Sequence, residues 1–364
     1  MQFPGEERGP IGIAFDTDMG AIDDVLALAL LEGLSSKKDP EARIISVSVS
    51  NPNLEAAAFC DAVEGFYSDI ANREIPPMFR RRGSGLPIGM ATQGKVPEEA
   101  PAMLRGALGK LDAEGKPVYS HDIHKLNDTA EAAALIRNAF TAQHDQNAAV
   151  VMTGPATNLV QVLDVRGAKE IISQKVRLLC VMGGAYPAGE KAEYNIKTDI
   201  VAAKRLFAEW PTPIVASGYE VGEALLYPAA SIEKDFGWAE NHPVVDAYRA
   251  YKAMPYDAPT WDLSAVLYAI RPDEGYFKLS EPGTISVLDN GRTKFTAASN
   301  GQHRYLILDP AQKDRIIQVY TEWASAQPPP RELPRFLRRL LEEQKKEEEE
   351  KLKRQQQQQP KPPE

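Results

Sequence analysis

Short apolar runs recur along the chain and alternate with stretches whose apolar positions fall three and four residues apart. The runs at 10–16 (PIGIAFD), 42–50 (ARIISVSVS), 148–153 (AAVVMT), 177–182 (VRLLCVM) and 213–217 (PIVAS) have the length and β-branched content of strands buried on both faces. Helical spacing marks 23–33 (DDVLALALLEG), the stretch after the second strand through Phe66, and residues 129–143, 199–210 and 310–326. Strands alternating with helices predict an α/β fold, a mostly parallel open sheet with helices on both faces.

The region 284–308 breaks that rhythm. TISVLDNGRTKF, followed by HRYLILD, predicts a β-hairpin turning at Asn290-Gly291, placed at one edge of the sheet. From Pro328 the composition changes again, to a charged, Gln- and Pro-rich tail over 328–364 that cannot bury a core. A frayed helix ending in disorder is expected there, with a single catalytic domain over 1–327. No internal repeat is apparent.

Composition narrows the function classes. The 364 residues are 43% apolar and 26% charged, with a net charge of −9 and a pI near 5.3. That acidic balance argues against nucleic acid or an anionic membrane as the main partner. No apolar run approaches the roughly 20 residues that span a bilayer. The opening MQFPGEERGP lacks a signal pattern, and Cys60 and Cys180 sit in apolar segments as expected of inert thiols. A reducing, cytoplasmic setting is the resulting expectation.

The chemistry concentrates in FDTDMGAIDD, residues 15–24, where a strand ends and a helix begins. Ligands of open α/β sheets bind beyond the carboxyl ends of the strands. Helix capping accounts for one or two of Asp16, Asp18, Asp23 and Asp24, but not for a pair at the strand end as well. Convergent carboxylates are stable together only when a cation neutralises them or some stay protonated. An all-oxygen donor set points to a hard ion, Ca²⁺ or Mg²⁺. Two reaction classes use such a site: phosphoryl transfer onto Asp16 as nucleophile, in the manner of haloacid-dehalogenase-type phosphatases, and metal-assisted attack of water on a sugar carbon. The phosphatase signature wants Thr or Val where Gly20 stands.

Four stretches in order decide between them. DTDMGAIDD resembles the N-terminal signature of the nucleoside hydrolases, the inosine-uridine-preferring type and its relatives. VMTGPATNL (151–159), MGGAYPAGEKAEYNIKTDIVAAKRLF (182–207) and TWDLSAVLYAIRP (260–272) are similar to the family's later segments. The resemblance implies Ca²⁺ ligation by Asp18, Asp24, the Thr153 carbonyl and Asp262, with Asp16 supporting from behind. It implies Asp18 as general base, and Asp23, Asn51, Glu193 and Asn195 as ribose ligands. The substrate it implies is a small-molecule nucleoside, and relatives are often homo-oligomers. Anionic oxygens around the sugar suit an oxocarbenium-like transition state.

The chain also departs from the commonest pattern. Ala21 or Ile22 is an extra residue in the acidic loop, and Glu190 and Lys191 stand where an asparagine is usual. Trp261 replaces a histidine, as in purine-preferring relatives, and its indole is expected to stack on the base. Otherwise one of His121, His124, His144, His242 or His303 would protonate the leaving group. His121 and His124 read as a solvated loop and His242 as helix-entry surface, while Tyr227 and Tyr256 are candidates for the base pocket. A non-catalytic nucleoside- or sugar-binding relative is the remaining alternative.

Overall fold

The computed structural model describes residues 9–79, 85–94, 101–187, 189, 191–332, 335–340, 342, 343, 346 and 350. Its strands are β1 (Ile11–Thr17), β2 (Ala42–Val49), β3 (Ile88–Met90), β4 (Ala130–Glu131), β5 (Ala148–Met152), β6 (Val176–Met182), β7 (Ile214–Ser217), β8 (Leu226–Tyr227), β9 (Ala258–Pro259), β10 (Phe277–Leu279), β11 (Gly283–Val287), β12 (Thr293–Ala297) and β13 (His303–Leu308). Eleven of them form one sheet in the order β12-β11-β13-β7-β6-β5-β1-β2-β3-β4, with β10 also on β13. Within this sheet pairing is parallel from β4 through to β13 and antiparallel only among β10 to β13, while β8 and β9 form a separate antiparallel pair. The predicted hairpin is β11–β12, with Gly291 at φ +77° in its turn, and it forms the sheet edge as expected.

The strand order reverses once. From β1 the chain builds outward through β2, β3 and β4, then returns to the other side of β1 and continues through β5, β6 and β7. The carboxyl ends of β1 and β5 therefore flank the switch point, where the loops diverge and leave a crevice. Both strands are buried throughout, and their side chains alternate between two cores. Ile13, Phe15, Ala149 and Val151 face one; Ala14, Ala148, Val150 and Met152 face the other.

The first core is covered by α1 (Ile22–Ser36), α2 (Leu54–Ala71), α3 (Ala102–Leu108), α11 (Pro243–Tyr251), α12 (Trp261–Ile270) and α13 (Lys313–Ala324). The second lies under α4 (Ala132–Thr141), α5 (Thr157–Asp164), α6 (Ala168–Lys175) and α8 (Ile200–Glu209). Short helices α7 (Tyr194–Thr198), α9 (Tyr219–Glu223) and α10 (Ala229–Lys234) complete the set. Every residue of α1 from Ile22 to Leu34 is buried, so this helix has no solvent face and its start is fixed from all sides.

Some boundaries differ from the sequence expectation. The second helix runs on to Ala71, and the segment expected to be helical from residue 129 first contributes β4 to the sheet. Of the tail, residues 335–340 are helical with Leu337 buried, and 351–364 lie outside the described residues. His242 corrects an expectation: it is only 3% exposed, enclosed by the rings of Phe66, Tyr67, Phe236 and Trp238. Its Nδ1 accepts the Val244 N–H at the start of α11, and burial lowers its pKa to about 3, so it stays neutral.

Away from the switch point, Glu32 on α1 and Glu64 on α2 form a buried carboxyl pair. Burial raises both, Glu64 to about 7, and the Glu64 charge raises Glu32 further. The sign of the linkage follows. Between the ordinary glutamate range and pH 7 the folded chain holds a proton that the unfolded chain releases, so stability is full at low pH and falls as pH rises. A shift of this size is worth on the order of 3 kcal/mol. Thermal unfolding of Glu64→Gln from pH 5 to 8 is expected to flatten this decline relative to the wild type; parallel curves would show that the pair does not titrate in this range.

Candidate active site

β1 ends at Thr17, and the chain then passes through Met19 at φ +50°, a left-handed conformation unusual for a side chain of this size. Two hydrogen bonds hold it: Met19 N–H to Thr17 Oγ1 (3.1 Å) and Gly20 N–H to Asp18 Oδ1 (2.9 Å). The turn presents Asp18 to a cavity of about 480 Å³. Asp16 lies behind, outside the cavity. Its Oδ1 accepts Ser48 Oγ (2.5 Å) and Asn158 Nδ2 (2.7 Å), its Oδ2 is buried without a partner, and burial raises its pKa to about 7. An aspartate enclosed in this way has no room for in-line attack on a phosphate, which removes the phosphatase reading.

Asp23 and Asp24 open α1. Asp24 Oδ2 accepts the Ala21 N–H (3.1 Å), and its Oδ1 accepts the hydroxyls of Thr17 and Thr153 (3.3 Å for Thr153). Both aspartates line the cavity. Thr153 follows β5, and its carbonyl accepts Asn195 Nδ2 (3.2 Å). The close approach of the two loops requires Gly154: a Cβ there would stand 2.2 Å from Ser50 Oγ and 2.9 Å from the Asp18 nitrogen. Asp262, in the first turn of α12, completes the floor. Carboxylate oxygens of Asp23, Asp24 and Asp262 lie within 4.8 Å of one another. Asp18 lines the same cavity but is not part of this closest trio, where the sequence expectation gave it the ligand place and gave Asp23 to the sugar.

All four aspartates are nearly inaccessible, and burial raises every one of them. For Asp18 and Asp23 the Asp24 charge adds to the rise; for Asp262 the Asp23 charge does. Asp24 is raised less freely because the Thr17 hydroxyl stabilises its anion. Such a floor must either hold protons or hold a cation. The donors fit a hard divalent ion: they are carboxylate and carbonyl oxygens, and no histidine or cysteine lines the cavity among the described residues.

The opposite wall comes from the segment after β6. Glu193 caps α7, its carboxylate accepting N–H groups of Gly184, Asn195 and Ile196 at 2.8–3.1 Å, and burial raises its pKa. These backbone donors fix the carboxylate at the cavity wall. Asn195 is anchored by Thr153 and by the Met182 carbonyl. Asn51 does not line the cavity; its Nδ2 donates to the Asp18 carbonyl (3.3 Å) and braces the acidic loop.

An aromatic shelf stands beside the floor. Trp261 stacks on Tyr219 with ring centres 5.4 Å apart at 25°, and its Nε1 donates to the Tyr219 carbonyl (3.0 Å). Gly222 makes this packing feasible, since a Cβ there would fall 2.2 Å from Trp261 Cα. Tyr219 was not anticipated, because nothing near it in sequence announces a partner 42 residues away. The other two tyrosines singled out are structural: Tyr227 is buried against Ser231, and Tyr256 and Tyr248 each donate a hydroxyl to the other's carbonyl. None of the five histidines lines the cavity. His303 accepts the Ile285 N–H inside the sheet edge, and His121 and His124 lie ring to ring 4.8 Å apart in their own loop. Glu190 lies outside the described residues.

No curated protein sequence matches the chain significantly. Solved structures do. A plant nucleoside hydrolase superposes with a TM-score of 0.63 at 17% identity, over 87% of this chain and 99% of its own. An inosine-uridine preferring nucleoside hydrolase from Bacillus anthracis gives 0.62 at 17%, covering 86% and 99%. A purine-preferring ribonucleoside hydrolase from Gardnerella vaginalis gives 0.61 at 18%, covering 86% and 98%. At these identities the likeness is one of fold. The sequence profile of inosine-uridine preferring nucleoside hydrolases, however, matches residues 13–323, spanning the acidic loop, the strand-end threonine, the α7 cap and Asp262. On that match, the chain belongs to the nucleoside hydrolase family, enzymes that hydrolyse N-glycosyl bonds.

Proposed function

We propose that this enzyme splits ribonucleosides, purine nucleosides in preference, into ribose and free base, with Ca²⁺ held at the acidic floor. The observation that carries the reading is the pairing, in one cavity, of a carboxylate floor with the Tyr219–Trp261 shelf. The floor suits a sugar acquiring positive charge at C1′, and the shelf suits a flat base beside it.

Asp18, Asp24, Asp262 and the Thr153 carbonyl would hold the ion, with Asp23 close enough to join them. Bound there, Ca²⁺ supplies the charge that keeps these carboxylates ionised and makes a nearby water more acidic. Asp18 takes the water proton at Oδ2, the oxygen that Gly20 does not occupy. The water oxygen bonds to C1′, the bond from C1′ to the base nitrogen breaks, and the electron pair leaves with the base. Asp23, Glu193 and Asn195 hold the ribose hydroxyls and so fix C1′ against the water. Asp16, locked by Ser48 and Asn158, supports the loop from behind. No side chain of the histidine set reaches the base, so the departing nitrogen takes its proton from solvent. Stacking on Trp261 contributes about 1–3 kcal/mol by analogy with base–aromatic contacts, more for the larger purine ring.

Three outcomes check this reading. Millimolar Ca²⁺ is expected to raise the midpoint of thermal unfolding relative to EGTA, because the ion binds only the folded floor, and Asp24→Asn should abolish that rise. Asp18→Asn is expected to lower kcat by roughly 10²–10⁴-fold without lowering the melting temperature in EGTA, since it removes a general base and, in the ion-free floor, one of several repelling charges. Trp261→Ala should reduce kcat/KM for inosine roughly tenfold and for uridine much less, measured as free base released. Binding of common nucleosides without base release from any of them would leave a binding protein instead.

A further inference from the structure

The floor of the cavity is acidic, but its mouth is not. Lys191 and Lys197 both line it, and both are exposed. Neither ammonium meets a carboxylate among the described residues. Lys191 Nζ stands 5.8 Å over the Tyr219 ring and Lys197 Nζ 5.6 Å over that of Tyr194. Lys204, on the next helix, is by contrast paired with Asp289 in the β11–β12 turn. The base of Lys197 is fixed as well: its N–H bonds to the Glu193 carbonyl (2.9 Å), and Gly291 of that turn lies so close that a Cβ there would approach Lys197 Cβ to 2.9 Å.

Two unpaired cations at the mouth of a carboxylate-lined cavity have no task with a neutral nucleoside. A cation over a solvent-facing ring gains less than a charge-assisted hydrogen bond to a phosphate oxygen offers. An anionic ligand, meanwhile, would be repelled by Asp18, Asp23, Asp24, Glu193 and Asp262 unless local positive charge received it. Taking the proposed function as given, the 2′ and 3′ hydroxyls face the acidic floor and the base lies on the Trp261 shelf. The 5′ carbon is then the position of the ribose left to point toward the mouth.

We propose that the site takes 5′-phosphorylated ribonucleosides, with Lys191 and Lys197 binding the phosphate. Flexible point charges suit this role, because rotation within the side chain is enough to redirect an ammonium.

The test measures binding separately from turnover. Inosine and inosine 5′-monophosphate are titrated by calorimetry into Asp18→Asn enzyme in Ca²⁺, with and without the pair Lys191→Gln and Lys197→Gln. The monophosphate is expected to bind at least tenfold tighter than inosine, and the double lysine change to erase that ratio. Arginine at both positions should restore it. Equal or tighter binding of inosine, or a ratio that survives the glutamines, overturns the proposal. Release of hypoxanthine by the wild-type enzyme is then followed from both compounds. Hydrolysis of inosine with the monophosphate neither bound nor cleaved ends this proposal alone. Lysine-dependent binding of the monophosphate with no hypoxanthine from either ends the hydrolytic reading alone.

Discussion

The rest of this structure depends on one electrostatic constraint: several little-exposed carboxyl groups share the floor of one cavity. Like charges at such range cannot all be ionised unless something positive stands among them. The fold answers by fixing three of the carboxyls from behind with neutral donors. Thr17 and Ala21 hold Asp24, Gly20 holds Asp18, and the backbone at the start of α7 holds Glu193. These donors orient the oxygens without cancelling their charge, so the demand for a cation is directed into the cavity. A site built in this way is preorganised for an ion, and for a sugar that becomes positive as its bond breaks.

Preorganisation of this kind needs rigid supports. The acidic loop leaves the carboxyl end of β1, a strand buried along its whole length with parallel partners on both sides. It enters α1, which has no exposed face until beyond Leu34. Thr153 comes from the neighbouring strand, and Asp262 from a helix packed against α1 and the sheet. Movement of any one of these would break a core contact, so the cluster behaves as one unit. Tyr219 and the two lysines belong to shorter segments with more exposure, where substrate discrimination is more easily altered than the chemistry beneath it.

Much of this was legible in the sequence, for definite reasons. β1, β2, β5, β6 and β7 appear as nearly continuous apolar runs because parallel strands are covered on both faces. The turn at Asn290-Gly291 was readable because a tight hairpin needs a left-handed residue there. β3 and β4 were not readable, since runs of two or three residues carry no periodicity. His242 was misplaced as surface because its enclosure needs Phe66 and Tyr67 of α2, far from it in sequence, to close over the turn that carries Phe236 and Trp238. The same reason hid Tyr219, whose meaning comes from a ring on another helix.

By itself, then, the sequence determined the class of fold, the acidic loop at its first strand, and the chemical types that accompany it. These are local facts, set by side-chain pattern and by which residues stand next to one another along the chain. Only the tertiary structure decided that Asp23 joins Asp24 and Asp262 in the closest trio, that Asp16 is walled off behind Ser48 and Asn158, and that Trp261 shares a shelf with Tyr219. Those are distances between remote residues, fixed when the strand order reverses beside β1 and two sets of loops are brought to face each other across one crevice.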